Sequence, residues 1–237
     1  MAKQVFYYPR ELIQSDTSLP VDFLSEKEHG TYKHSIQKYP AQLINLLNVD
    51  RNGSHFFEVL QLNQIGIRTV TIPELFSAIG NGMDVSHFYV DGREALLSGE
   101  CTYKPNRFLA EQLRSELQLR DKEIPYVIKG LGIKPSNHTD AHYGLEFVTK
   151  HAEVIPAPDF HVNNNGRKFS RIDDNYTIAF DDNGKYTLFT DNDILSRLDL
   201  GDDLIAFAND DRLTNSIDDS RVVVVGTEGT QKFLERA

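Results

Sequence analysis

"YTIAFDDNGKYTLFT", residues 176–190, decides the fold class. Apolar and polar side chains alternate in period two on both sides of Asp181-Asp182-Asn183-Gly184. Successive strand side chains point to opposite faces, so the stretch reads as a β-hairpin turning on its Asp-Asn-Gly segment. "DDLIAFAND" (202–210) and "SRVVVVG" (220–226) add two further strands, and "TQKFLER" (230–236) a short closing helix. Asp pairs at 173/174, 181/182, 202/203, 210/211 and 218/219 punctuate these strands, as tight turns require.

Upstream the period changes. In "NRFLAEQLRSELQLR" (106–120), Leu109, Leu113 and Leu117 share one helical face and Glu116 precedes Arg120 by four residues on the other, which predicts a helix packed on a sheet. Helices are also expected near 40–47, where Pro40 precedes Leu43, Ile44 and Leu47, and near 73–79, where Pro73 precedes Leu75, Phe76 and Ile79 before Gly80. "FFEVLQL" (56–62) and "IPYVIKG" (124–130) read as strands. "SHFYVDGREALL" (86–97) reads as a hairpin turning at Asp91-Gly92, and "IPAPDFHVNNNGRK" (155–168) as a loop. The expected class is α+β: a mixed helix/strand N-terminal part over residues 1–165, followed by an acidic, mainly antiparallel β part over 166–237. The two are either separate or continuous as one domain.

With 237 residues the chain can bury a sizeable core, and its 40% apolar content is that of a water-soluble protein. Apolar runs stay well short of the roughly 18 residues of a membrane span, so no membrane is expected as a partner. Pro9, Arg10 and Glu11 interrupt the N-terminal apolar stretch, so export through a signal peptide is not expected. The expected location is the cytoplasm or an assembled particle. A single cysteine, Cys101, rules out an intrachain disulfide and any CxxC motif. The formal charge is −10, and residues 159–237 hold 14 Asp and 2 Glu against 9 Lys or Arg. Such a surface repels phosphate backbones, and no basic stripe interleaved with aromatics offsets it, so direct binding of nucleic acid is not expected.

Residues able to bind a metal crowd into "NHTDAHYGLEF", 137–147. On a strand, His138, Asp140 and His142 project together, two imidazoles and a carboxylate suited to non-haem iron or zinc. On a helix, His138 and His142 still share a face but Glu146 replaces Asp140. Thr139, Tyr143, Phe147 and Val148 prefer extended backbone and Gly144 weakens a helix, so the strand is the expected form. His138-Thr139-Asp140 resembles the HxD element of non-haem iron oxygenases, which use a further histidine much later in the chain. Here the later ones, His142, His151 and His161, lie close by. Asp140-Ala141-His142 with Glu146, then His161 with Asn165, resembles the two short motifs of cupins. Asp140 stands where that family has its first histidine, and Pro158 where it has glycine. Exposed loops also gather His, Asp and Asn simply because these side chains satisfy local backbone groups.

Other motifs are incomplete. "DDNG" and "DND" lack the spacing of a calcium loop, and "VVVVGTEGT" and "KGLG", each able to turn backbone amides toward a phosphate, lack full phosphate-loop spacing and read as plain connections. No GxSxG elbow occurs. The aromatic "FYYPRE" near the N-terminus fits an edge strand or a partner anchor. Two function classes follow. The first is a non-catalytic structural or assembly component of a virion-like or other multi-subunit particle, a homo-oligomer or larger, with other protein subunits as partners. The alternative is a small iron- or zinc-dependent enzyme using His138, Asp140 and His142, with Glu146 or His161 in reserve and an open coordination position for Lewis-acid or oxygen-activating chemistry.

Overall fold

The computed structural model describes residues 21–48, 53–85, 87–201, 204–209, 212–214 and 220–226. In chain order they form β1 (Val21–Phe23), α1 (Glu26–Ile36), α2 (Ala41–Leu47), α3 (His55–Gln64), α4 (Ile72–Gly80), β2 (Tyr89–Leu97), α5 (Lys104–Glu116), β3 (Tyr126–Lys129), β4 (Gly132–Pro135), β5 (Leu145–Val148) and β6 (Glu153–Pro156). Then come β7 (Lys168–Ile172), β8 (Ile178–Phe180), β9 (Tyr186–Thr190), β10 (Leu195–Leu200), β11 (Ile205–Ala208), β12 (Ser220–Arg221) and β13 (Val223–Val225). The fold is α+β. The N-terminal aromatic stretch, the helix expected over 230–236 and the Asp pairs at 202/203, 210/211 and 218/219 lie outside the described residues.

Local chemistry explains where the helices begin. Ser25 accepts from the Glu28 amide while the Glu28 carboxylate accepts from the Ser25 amide, and Thr71 and Glu74 repeat the arrangement at the start of α4, with Pro73 in its first turn. Each box satisfies two of the amides that a helix start leaves without partners.

The main sheet runs β6-β3-β2-β10-β11-β9-β7-β8, with β12 parallel to β2. It is mixed: β9 and β11 also pair in parallel, and the other neighbours are antiparallel. Strands from both sides of residue 165 share it. β4 and β5 form a separate hairpin, and β1 pairs with β13. Because strand side chains alternate, β2 sends Ala95 and Leu97 into a core built with α1, α2, α3 and α5. Its other face sends Val90 and Leu96 into a second core with α4, β7 and β9. Among the described residues no helix is long and apolar enough to cross a membrane.

The expected helices at 40–47, 73–79 and 107–120 are present as α2, α4 and α5. Four local expectations are corrected. "FFEVLQL" lies within α3, not a strand. Eight of that helix's ten residues are buried, polar Glu58 and Gln61 among them, so burial does not divide the helix into an apolar and a polar face. "YVDGREALL" is one continuous central strand instead of a hairpin. The strands on either side of "DDNG" exist but do not pair with each other, because β7 lies between β8 and β9. "HTDAH" is a turn, not a strand.

Candidate functional site

The β4–β5 hairpin closes through residues 136–144. The Ser136 amide donates to the Gly144 carbonyl, Ala141 to His138, His142 to Asp140 and Gly144 to Ala141, at 2.7–3.1 Å. A backbone turned this tightly cannot alternate its side chains, so the geometry that would align His138, Asp140 and His142 on one strand face is lost. His138 Nδ1 accepts the Asp140 amide at 3.2 Å and lies 3.7 Å from Asp140 Oδ2, while its ring stacks on Phe108 of α5 at 4.8 Å. This is the local side-chain-to-backbone bonding that His and Asp commonly make in turns.

Glu146 is engaged across the hairpin. Its carboxylate meets Lys134 Nζ at 2.7 Å across the β4–β5 pair, and that contact holds its protonation below the ordinary carboxylate range. His161 is remote in the chain, where Val162–Asn164 begins a short 3₁₀ turn, and its Nδ1 accepts the Asn163 amide at 3.2 Å. Among the described residues no three His, Cys, Asp or Glu side chains come together as a metal-holding group.

What the hairpin does form is one wall of an open groove of about 620 Å³. The other wall is the outer face of α5, with Lys104, Arg107, Phe108, Glu111 and Glu116, and the hairpin contributes His138, Asp140, His142 and Glu146. Gln112 fixes the two walls together: its Oε1 accepts the Phe147 amide and its Nε2 donates to the Phe147 carbonyl, both at 2.9 Å. Four of the five candidate residues thus meet along this groove, and His161 does not.

The polar chemistry that sequence reading passed over is buried. Glu94 on β2 is fully inaccessible, its Oε1 accepting the Ile72 amide at 2.7 Å and the Tyr176 hydroxyl at 2.5 Å. Burial pushes its carboxyl up to about 7 against the opposing pull of those two donors, and burial also raises the Tyr176 phenol. Two strands' width holds a second group. Asp91 and Asp199 sit directly opposite each other on β2 and β10, and Arg197 reaches both, Nη1 lying 3.1 Å from Asp91 Oδ1 and Nε 3.5 Å from Asp199 Oδ1. Opposed like charges in a sheet repel, and the guanidinium resolves that repulsion where water cannot. Only a long-range pairing of β2 with β10 brings these residues together, so no local motif announces them. Comparison of the chain with known protein families, with curated proteins and with solved structures gives no match.

Proposed function

We propose that the protein is a non-catalytic assembly component of a multi-subunit particle, virion-like or similar, acting through protein–protein contacts, with a second copy of the chain as its first partner. The order of charge along α5 carries this reading. Lys104 and Arg107 occupy its first turn, no acidic residue stands there and no side chain caps its start, while Glu111 and Glu116 share the later turns with Arg114. The helix dipole disfavours cations in the first turn, each costing about 0.3–1 kcal/mol. Where a chain breaks a local rule, something beyond local structure selects it.

A two-fold axis across the middle of α5 supplies a reason. It sets Lys104 and Arg107 of each copy against Glu111 and Glu116 of the other, with the dipoles antiparallel and the Phe108–His138 stack near the centre. Lys104, Arg107 and Glu111 make no ion pair among the described residues, which leaves them to such a contact.

Light scattering across a concentration range tests it. The expectation is a dimer or larger species that weakens with salt, with Arg107→Glu alone and Glu111→Lys alone each monomeric, and a mixture of the two variants reassociating. A stable monomer at every concentration, or an assembly indifferent to both reversals, defeats the proposal. So does a contact burying less than roughly 1,000 Å² in any structure of the assembly.

A further inference from the structure

Where the β4–β5 hairpin leaves the main sheet, a second cleft of about 500 Å³ opens under the end of α3. Its charge opposes that of the whole chain. Arg93, Lys129 and Lys150 line it together with His151, and Glu153 is the one carboxylate among its lining residues. Glu153 is already engaged by Lys129 at 3.2 Å. Arg93 and Lys150 make no side-chain hydrogen bond or ion pair among the described residues, Arg93 Nε is buried without one, and the charge of Arg93 acts from a distance on buried Glu94.

Two opposing effects are smaller than this local surplus. The C-terminal end of α3 presents roughly half a negative charge, against a formal excess of two positive ones. The chain's net −10 is spread over the whole molecule, and beyond about 10 Å ordinary salt screens it. A guanidinium and ammonium groups in one cleft match an oxyanion with several acceptor oxygens.

Two glycines let the segments that line the cleft pack closely on one another. Gly130 has φ +69, and a Cβ there would fall 2.2 Å from the His151 carbonyl oxygen. A Cβ on Gly132 would fall 2.7 Å from the Gln64 side-chain amide. Gln64 Oε1 accepts the Ile133 amide at 2.9 Å, so its Nε2 is the end left to donate toward the cleft. These glycines belong to "KGLG", the stretch that lacks full phosphate-loop spacing and reads in the sequence as a plain connection.

We propose that this cleft binds the phosphate groups of a small phosphorylated molecule, with Arg93 gripping one phosphate through its planar fork while Lys150 and Gln64 contact the oxygens beside it.

Calorimetric titration of the full chain with pyrophosphate at low salt tests this. Saturable one-to-one binding is expected, weakened roughly tenfold or more by Arg93→Gln and by Lys150→Gln, since each removes a charged hydrogen-bond donor. Lys150 is exposed, so its variant folds even if the partly buried Arg93 proves sensitive. Lys168→Gln, on β7 far across the sheet, should change nothing. Absence of saturable binding overturns the proposal, and so does equal weakening by Lys168→Gln. Citrate separates phosphate from carboxylate: binding as tight as that of pyrophosphate overturns the assignment to phosphate.

Discussion

Strand β2 and the β4–β5 turn exchange the roles their sequences suggest. "YVDGREALL" contains Asp-Gly, a strong local turn signal, yet it is the central strand of the main sheet. "NHTDAHYG" contains side chains with a taste for extended backbone, yet it is the turn. Partners distant in sequence make the difference. Asp91 is held by Arg197 from β10, 106 residues away, and Gly92 lets Ile72 approach so closely that a Cβ would lie 2.8 Å from Ile72 Cγ1. The hairpin has only its own backbone and the face of α5 to satisfy it, so local turn chemistry governs there. The acidic residues of β2, Asp91 and Glu94, are structural and buried; His138, Asp140 and His142 in the hairpin turn are solvated.

The largest expected effect lies in β2. Arg197→Met should leave Asp91 and Asp199 facing each other in a dry sheet and lower stability by about 3–5 kcal/mol, measured by urea denaturation. Arg197→Lys should not rescue it, because a point charge cannot span the two carboxylates as the guanidinium does. A loss near zero would mean that β2 is as indifferent to its charges as the hairpin is.

Glu94 gives the next effect, read through pH. Its folded value, about 7, lies above the ordinary 4.5, so the folded state holds the proton more tightly than the unfolded chain. The associated stability is fully present below 4.5 and is lost as pH rises to about 7, a fall on the order of 3 kcal/mol. Glu94→Gln retains an oxygen for the Ile72 amide and the Tyr176 hydroxyl but carries no charge. Denaturation curves on either side of that window should therefore converge in the variant. An unchanged pH profile would remove Glu94 as its cause.

What the sequence discloses follows the same division. Helices α2, α4 and α5 are legible because proline, apolar spacing and stop signals act within one turn. The start of α1 is legible too: Ser25 followed three residues later by Glu28 is a capping box. α3 hides because burial on all sides erases its period. The β7 insertion between β8 and β9 hides because strand order is fixed by the sheet, and "DDNG" makes only a turn, with Asp181 Oδ1 accepting the Asn183 amide. Of the candidate site, the residue types were legible but their grouping was not. Whether His138, Asp140 and His142 face one way depends on a turn that residues 136 and 144 close, while the Arg93–Lys150 cleft depends on strand β2 meeting the turn between β5 and β6.

The smallest expected effect closes the comparison at the hairpin. His138→Ala removes a ring whose side chain is 55% exposed, one weak acceptor for the Asp140 amide and a stack on Phe108. Water can replace the acceptor, and an exposed stack contributes little, so the change should stay within about 0.5 kcal/mol, as should Asp140→Ala and His142→Ala. Metal is the sharper readout. A site that used these side chains as ligands would lose iron, zinc or manganese outright on losing any one of them, since each supplies a strong contact to the ion. Elemental analysis of protein purified without chelator should find none of these metals near stoichiometry, and adding them should leave the melting temperatures of all four proteins alike. Near-stoichiometric metal that disappears in His138→Ala would show that the turn rearranges into a ligand set, and it would restore the enzyme reading over the assembly one.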